Sequence, residues 1–409
     1  MEDLYKSEVI DPGDMASKLA KQINVESYKN CPAVSIVPHD SGNFRGPVGY
    51  LWNKDILKKF ADYKLNHKGV VIDWSMMEEI ENDGAGGKPQ FFTLIGDKKV
   101  FADLGREIIA MTADDFARTG RLPCIIANEM DVKKITRRNI SNFMFLMEGY
   151  GKALKEQNLV NITGETAIMK HSITAFCDLN SDSQLTLVWG ATCIGLANKK
   201  LLLNPANIKP GMIIVGFKDP GYGCNGGTFF TNLILRKWGP CIDDILEDPE
   251  AMEFVKKLAV PSKIYAKTVC RIVGWKENGK IGEPLAKIAG IAHITGGGVW
   301  GKFGEILPPG VGAYLYNMPD PPQVLLEAQE LSFEFPDLKL SGHSGYGTLH
   351  GGCRMLLVTH SFDDANKIIY EAAQDGIEAQ IVGETDDSSK LKINSKYLNG
   401  GMLEEELKR

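Results

Sequence analysis

The sequence predicts an α/β fold with mixed sheets, and three observations support this class. Strand-like and helix-like segments alternate along the 409 residues, and the chain closes on a β-α-β unit formed by segments 355–359, 363–373 and 378–382. Hydrophobic residues make up 44% and charged residues 24%, which is typical of a folded globular protein. This alternation favours helices packed on sheets over an all-helical or all-strand protein.

In the first half, apolar residues at helical spacing predict the helices and short apolar runs predict the strands. Pro12 suits a first helical position, which makes Asp11 the N-cap of an opening helix. Residues 31–69 contain a short charged helix near 54–64 and are otherwise unassigned. The remaining segments are strands at 70–72, 91–95 and 123–127, helices at 105–118 and 136–157, and strands at 159–162, 173–177 and 185–197, with a turn at 180–183.

The stretch from Asn204 to Gly211 is polar and contains two prolines. It predicts a boundary between an N-terminal domain, 1–206, and a C-terminal domain, 207–409. Beyond it the pattern restarts as a strand at 212–217, helices at 228–238, 250–258 and 262–275, strands at 290–294 and 313–316, a helix at 322–331, and the closing unit.

Charge and cysteine content exclude several classes of protein. The 46 basic and 52 acidic residues give a net charge of −6, which argues against general electrostatic binding to nucleic acid or anionic lipid. The eight cysteines have no zinc-like spacing and predict reduced core thiols. No apolar run approaches the ~18 residues of a membrane span, and we expect a cytoplasmic protein.

Glycine is unusually frequent, with 43 residues in the chain. Much of the excess lies in four clusters, at 84–87, 221–227, 296–304 and 342–352. Glycine lets backbone N–H groups approach an anion closely. We therefore expect the functional site among these clusters.

The first cluster lies in segment 82–88, where an acid, bare backbone and a lysine occur within seven residues. Asp83 could hold Mg²⁺, Gly84 and Gly86 could expose backbone N–H groups to phosphate, and Lys88 could supply a positive charge. The segment does not match the Walker A motif, because Pro89 follows the lysine. A solvent-exposed loop between two strands is the alternative.

Two further acids are candidates for a metal site. Asp115 lies at the edge of the apolar stripe of helix 105–118, where an unpaired carboxylate would be costly, so a metal or a polar partner is expected. Asp114 is interpreted as a solvated surface residue that pairs with Arg118. Glu165 lies in a glycine-acid-threonine turn after a strand, for which an ordinary turn is the alternative.

An apolar strand runs into Thr295 and three glycines, Gly296, Gly297 and Gly298, and this arrangement predicts a backbone nest for phosphate. His293, within that strand, is either a hydrogen-bonded core histidine or a catalytic residue. Segment 221–226 matches the spacing Gly-x-Gly-x-x-Gly, but its flanks do not fit a dinucleotide-binding unit.

Taken in order, these motifs resemble those of the AIR synthetase family, the phosphoribosylformylglycinamidine cyclo-ligases, within a superfamily of ATP-using enzymes. The resemblance spans nearly the whole chain. Six segments carry it: 83–88 (family motif DGVGTK), 111–115 (MxxND), 164–167 (GGETA), 225–226 (SNG), 261–267 (PTxIYxK) and 292–298 (AHxTGGG).

The resemblance implies two α/β domains of the AIR-synthase-like fold and a homodimer in which the two N-terminal sheets form a barrel. It also implies a small phosphorylated substrate, while the net charge and the lack of a long apolar run predict no nucleic-acid or membrane partner. In the implied reaction ATP phosphorylates the formyl oxygen of formylglycinamidine ribonucleotide. An amidine nitrogen then attacks that carbon, and phosphate leaves as the imidazole ring of this purine precursor closes.

The resemblance also implies residue roles. Asp83, Asp115 and Glu165 would hold Mg²⁺, and Lys88 and His293 are the candidate catalytic residues. The ATP-binding set comprises Asp83, Gly84, Gly86, Lys88, Asp115, Asn225, Thr295, Gly296, Gly297 and Gly298.

The chain departs from the family pattern where the substrate would bind. The family has ENxPR after its TGGG segment, whereas residues 301–305 read GKFGE, and the histidine of the family's HSNG turn is Gly223. We expect the binding of ATP and metal to be retained and the part of the site that binds the phosphoryl acceptor to be altered. Two alternatives follow: a sister phosphotransferase or ligase acting on selenide, thiamine monophosphate or a maturation-factor carboxamide, and a non-catalytic nucleotide-binding dimer.

Overall fold

The computed structural model describes residues 12–37, 49–61, 64–65, 72–73, 75–179 and 181–407. Within these ranges the chain forms a four-stranded sheet, a seven-stranded sheet and two small two-stranded sheets, with helices packed around them. This mixed architecture confirms the predicted α/β class. The predictions made for Asp11, residues 70–71 and Asn180 lie outside the described residues.

The described residues of the first half form helices and strands whose bounds follow in chain order. The helices are α1 (Pro12–Ser27), α2 (Lys54–Ala61), α3 (Pro89–Ile95), α4 (Lys98–Leu104), α5 (Glu107–Ala117) and α6 (Ile140–Glu156). The strands are β1 (Val34–Val37), β2 (Gly49–Trp52), β3 (Lys64–Leu65), β4 (Ile72–Asp73), β5 (Met76–Gly84), β6 (Leu122–Val132), β7 (Val160–Ile168) and β8 (Leu187–Asn198).

The four-stranded sheet has the order β5-β8-β6-β7. Strands β6 and β7 are parallel, with α6 as the crossover between them, and the other neighbours are antiparallel. Helix α5 packs on β5, β8 and β6, and α1 packs on α6 and β7. Strand β5 ends at Gly84, so the sheet delivers the first glycine cluster to one of its ends.

The second half is described in the same way. Its helices are α7 (Gly227–Trp238), α8 (Ile242–Glu247), α9 (Pro249–Leu258), α10 (Ala266–Val273), α11 (Gly298–Ile306), α12 (Gln323–Ser332), α13 (Gly342–Thr348) and α14 (Phe362–Gln374). Its strands are β9 (Ile213–Lys218), β10 (Ile288–His293), β11 (Gly312–Leu315), β12 (Cys353–Thr359), β13 (Ala379–Asp386), β14 (Lys390–Ser395) and β15 (Gly401–Glu406).

The seven-stranded sheet has the order β10-β12-β9-β13-β11-β14-β15. Strand β9 lies between β12 and β13 and runs antiparallel to both, so the predicted closing β-α-β unit is split by an inserted strand. Alternate residues of β9 face opposite sides, as a strand requires. Ile213 and Val215 pack into the core shared with the first half, whereas Ile214 packs into a second core.

Two predicted strands are wrong. Residues 91–95 lie in α3, because Pro89 begins a helix and Gly96 ends it with φ 67°, in the left-handed region. Their apolar run is buried against both cores, and burial by itself does not distinguish a strand from a short helix. Residues 173–177 form no strand, and the Gln184 side chain donates instead to the Cys177 carbonyl oxygen at 2.5 Å.

The eight cysteines are free thiols, as predicted, and all are buried except Cys241. Among the described residues, none of the helices combines the length and apolarity needed to cross a membrane. The last strand of the four-stranded sheet ends at Asn198 and the first strand of the seven-stranded sheet begins at Ile213. The boundary predicted at 206/207 lies in the connection between them.

Candidate functional site

The four glycine clusters meet in space. A β-carbon on Gly86 would lie 2.8 Å from the carbonyl oxygen of Cys224, and one on Gly298 would lie 2.1 Å from that of Tyr346. A β-carbon on Gly296 would lie 4.0 Å from Nδ2 of Asn225. The first two approaches leave no room for a side chain, so glycine is required for these loops to pack together.

Two helices begin at this meeting point. Helix α7 follows Gly226 and helix α11 follows Gly297, and each of these glycines has φ 91°. Neither helix has a side-chain cap, so its first N–H groups are not used by a capping side chain. Uncapped helix starts attract anions because their free N–H groups point out of the helix and the positive end of the helix dipole lies there.

The structure brings Asp83 and Asp115 together and adds His293 to them. Oδ1 of Asp83 accepts the N–H of Gly84 at 2.7 Å, and Oδ1 of Asp115 lies 2.7 Å from Nδ1 of His293. Burial raises the pKa of Asp83; the Gly84 N–H opposes this, and the nearby Asp115 charge adds to it. We call Asp83 and Asp115 the carboxylate pair.

The two members of the carboxylate pair differ electrostatically. Burial on its own would raise the pKa of Asp115, but the hydrogen bond from His293 and the charges of Arg118 and Lys302 hold it below its usual value. Lys302 lies in α11, in the segment that replaces the family's ENxPR. It is a cation at the site that the motif comparison did not single out.

His293 is fully buried in its side chain and uses both ring nitrogens. Nε2 lies 3.0 Å from Nη1 of Arg354, and because a guanidinium can only donate, Nε2 accepts. Nδ1 therefore carries the proton and donates to Asp115. Burial lowers the pKa of His293, in agreement with a neutral ring. Of the two predictions for His293, the structure therefore favours a hydrogen-bonded core histidine, because no ring nitrogen is free to act in catalysis.

Lys88 was predicted to supply an accessible positive charge to phosphate, and the structure places it elsewhere. Its side chain is completely buried, and Nζ lies 3.1 Å from Oε1 of Glu107 and donates to Oγ of Ser262 at 3.1 Å. Nζ also lies 5.3 Å from the centre of the Tyr222 ring. Lys88 thus ties the first glycine loop to α5 and to the second half of the chain.

Glu165 is not brought to the carboxylate pair within this chain. The strand register aligns Glu165 with Glu129, Glu129 with Gly190, and Gly190 with Gly84. Three strand spacings separate Glu165 from Gly84, which is about 14 Å. Its side chain is exposed on β7, at the edge of the sheet. The predicted three-acid metal site is therefore reduced to two acids in a single subunit.

Asp114 corrects a prediction, because it is completely buried rather than solvated. Oδ1 accepts the N–H groups of Tyr265 and Ala266 at 2.7 and 2.8 Å, and Oδ2 lies 3.1 Å from Nη2 of Arg354. Arg354 also pairs with Asp219 at 2.9 Å. Sequence reasoning missed Arg354 altogether; an arginine within the apolar strand 353–359 was the available signal.

The remaining predicted nucleotide-binding residues surround the same point. Thr295 follows the end of β10, and its carbonyl oxygen accepts the N–H of Gly298 at 3.0 Å. Asn225 is half-buried and faces Gly296. Gly84 ends β5 beside the carboxylate pair. The site thus combines carboxylate oxygens, bare backbone and two helix starts.

Comparisons with known proteins agree with the motif resemblance. Residues 277–396 match the family model described as AIR synthase related protein, C-terminal domain. A phosphoribosylformylglycinamidine cyclo-ligase of Methanocaldococcus jannaschii is 26% identical over 366 residues, 89% of this chain and 93% of that protein. One from Methanococcus vannielii is 24% identical over 347 residues, 85% and 88% of the two chains.

The fold is similar to that of E. coli HypE, a hydrogenase maturation protein. The TM-score is 0.51 at 12% sequence identity, over 96% of this chain and 97% of that one. This likeness extends the fold relationship to nearly the whole chain. The resemblance to the AIR synthetase family that the six motifs indicate is confirmed.

Proposed function

We propose that this chain is an ATP-dependent ligase that forms a C–N bond, converting formylglycinamidine ribonucleotide to aminoimidazole ribonucleotide in purine biosynthesis. One observation carries the proposal: the carboxylate pair, the glycine loops and two uncapped helix starts converge at one point. Relatives named as cyclo-ligases along most of the chain support this choice of reaction.

The carboxylate pair fits Mg²⁺. Mg²⁺ prefers oxygen ligands and is usually bound by one or two carboxylates together with substrate phosphates. Among the described residues, no group of three His, Cys, Asp or Glu side chains is placed to hold a metal ion. Asp83 and Asp115 would therefore share the ion with the triphosphate. When bound, Mg²⁺ would neutralise charge on the transferred phosphoryl group.

The chain's own residues would position the reactants. The N-termini of α7 and α11 would bind phosphate oxygens through their N–H groups, with Lys302 as the nearby cation. His293 would orient Asp115 by donating from Nδ1, which makes it a positioning residue. Lys88 would hold the first glycine loop in place through Glu107.

The proposed chemistry has two steps. The formyl oxygen attacks the γ-phosphorus of ATP, and the bond from that phosphorus to ADP breaks. An amidine nitrogen then attacks the activated carbon, loses a proton, and the carbon–oxygen bond breaks to release inorganic phosphate. An amide oxygen leaves poorly until it is phosphorylated, so catalysis depends mainly on positioning and charge neutralisation.

We also propose that the chain is a cytoplasmic homodimer with N- and C-terminal domains divided near residue 206. The free cysteines suit a reducing compartment. Ile80 on β5 and Val188 on β8 are 63% and 56% exposed, which marks an uncovered apolar part of the four-stranded sheet. In such a dimer, Glu165 would contribute to a site from the neighbouring subunit.

Turnover of the proposed substrate tests the function. The full chain with formylglycinamidine ribonucleotide, ATP and Mg²⁺ should form aminoimidazole ribonucleotide and ADP in equal amounts. Asp83→Asn should reduce kcat/KM by about 100-fold, because it removes a charge that acts on the phosphoryl group. Asp387→Asn, at an exposed aspartate, is the matched control and should leave kcat/KM unchanged.

Two results would redirect the proposal. ATP binding without turnover of this ribonucleotide, but with turnover of another acceptor, would identify a sister phosphotransferase or ligase. Mg²⁺-dependent ATP binding without turnover of any acceptor would identify a nucleotide-binding dimer. Calorimetry separates ligand binding from turnover, since Asp115→Ala should weaken ATP binding in Mg²⁺ but not in EDTA.

A further inference from the structure

A cavity of about 450 Å³ lies at the connection between the two halves. The connecting segment 200–212 lines one side, and the start of β10 with the residue after β12 lines another. We call it the connector cavity. Its volume falls within the range of small-molecule sites. We propose that it binds an organic phosphate, meaning a phosphate monoester that carries an apolar group.

The charge of the connector cavity selects an anion. Lys200, Lys209 and Lys287 line it, and none of the described residues around it is an aspartate or glutamate. Within the described part of the chain, none of the three ammonium groups has a carboxylate within ion-pair distance. Three unneutralised lysines in a chain with a net charge of −6 form a local anion site.

Asp364, a carboxylate hydrogen-bonded to the backbone of one of these lysines, is occupied by other groups. Asp364 accepts the backbone N–H of Lys287 at 3.1 Å and the hydroxyl of Ser361 at 2.9 Å. It does not line the connector cavity. The side chains of the lysines are thus left to face a ligand.

The apolar wall of the connector cavity favours a ligand that carries an apolar group beside its phosphate. Leu201, Met212, Ala286 and Ala289 line it, and each is at least nine-tenths buried. An inorganic phosphate would contact the lysines but leave this apolar wall uncovered. A ligand that fills both parts would gain charge interactions and apolar burial together.

The connector cavity is separate from the candidate active site. Ile288 lines the cavity at the start of β10, and His293 ends the same strand beside the carboxylate pair. Five residue steps along a strand span about 17 Å. Binding at one position therefore need not involve the residues of the other.

Calorimetry of the full chain with AMP as the probe tests the proposal. We expect one saturable AMP site per chain that does not require Mg²⁺. The double variant Lys200→Gln/Lys287→Gln should weaken AMP binding roughly tenfold or more, about 1.4 kcal/mol. The control Lys256→Gln/Lys280→Gln, at exposed lysines elsewhere, should bind AMP as the wild type does. Adenosine and inorganic phosphate should each bind more weakly than AMP.

Three outcomes would overturn the proposal: no saturable AMP binding, inorganic phosphate binding as tightly as AMP, or AMP binding that the lysine pair does not affect. Lys302→Gln, which removes the cation at the candidate active site, identifies the site, since it should leave AMP binding unchanged with or without Mg²⁺. Loss of AMP binding in that variant would assign AMP to the candidate active site instead. These results are independent of whether the chain turns over formylglycinamidine ribonucleotide.

Discussion

Arg354 connects the two halves of the chain through its buried contacts. Its buried guanidinium pairs with Asp114 of α5 and with Asp219 at the end of β9, and it donates to His293 and to the Ala110 carbonyl oxygen. It also lies over the Tyr265 ring, 5.0 Å from its centre. One cation thus satisfies acceptors from both halves, at positions up to 244 residues apart.

Removing this cation should be strongly destabilising. Arg354→Met keeps most of the side-chain volume but leaves two buried carboxylates without their partner, which should lower the free energy of unfolding by about 3–5 kcal/mol. Arg236→Met, which breaks an exposed pair with Asp337, should cost at most about 1 kcal/mol. Urea unfolding of both variants measures the difference, and equal losses would contradict this view of Arg354.

His350 makes the stability depend on pH. Nε2 donates to the Gly221 carbonyl oxygen at 3.0 Å and Nδ1 accepts the Gly352 N–H at 3.1 Å, so the folded ring is neutral. Burial lowers the pKa of His350 to about 4. Between about pH 6.5 and pH 4 the unfolded chain binds a proton there that the folded chain does not, so stability falls as pH falls.

This proton uptake predicts how steeply the free energy of unfolding changes with pH. From pH 7 to pH 5, His350 should reduce the free energy of unfolding by about 2 kcal/mol. His350→Gln should remove this part of the pH dependence, although its stability at pH 7 is lower because two hydrogen bonds are disturbed. His171→Gln, at an exposed histidine, should keep the wild-type slope in urea unfolding at pH 7, 6 and 5. An unchanged slope in His350→Gln would refute the assignment.

At the scale of the elements, close approach decides which helices can pack. Helices α4 and α6 meet where a β-carbon on Gly149 would lie 1.8 Å from the carbonyl oxygen of Ala102. A β-carbon on Gly105 would lie 2.3 Å from the backbone nitrogen of Tyr150. Two glycines therefore allow the backbones to touch, and the pair supports the helix that precedes α5 of the site.

Gly149→Ala tests this contact. Alanine favours a helix by up to about 1 kcal/mol over glycine, but here the added carbon forces the helices apart. We expect a net loss of about 2–3 kcal/mol in the free energy of unfolding. Gly190→Ala, where no atom lies within 4 Å of the new carbon, should change it by less than about 0.5 kcal/mol. Thermal or urea unfolding measures both, and similar losses would argue against the close contact.

At the scale of the whole molecule, the proposed homodimer depends on the uncovered part of the four-stranded sheet. Ile80→Lys places a charge at an exposed apolar position of that sheet and should convert a dimer to a monomer. Met402→Lys, at a methionine that is also 63% exposed but lies on β15, is the matched control and should stay dimeric. Sedimentation velocity distinguishes the species. A monomeric wild type, or a dimeric Ile80→Lys, would contradict the proposal.

Much of the fold and part of the site were predictable from local patterns. Helix α5 and strand β10 follow from apolar spacing, and the glycine clusters mark the loops that converge. Residues 91–95 could not be assigned correctly, because a short apolar run suits a buried helix as well as a strand. Asp114 was misplaced for a similar reason: its spacing to Arg118 suggests a surface pair, but it is buried against Tyr265, just before α10 and 151 residues later in the chain.

Local sequence carries the element types, the glycine positions and the motif order that indicates the family, because these depend on neighbours a few residues apart. The surroundings of Lys88 and Arg354 and the distance of Glu165 from the carboxylate pair depend on which strands adjoin and which helices cross. Those arrangements include contacts between residues far apart in the chain, such as Lys88 with Ser262 and Arg354 with Asp114. A buried charge takes whatever partner the packing brings to it, and that partner has no fixed spacing in the chain.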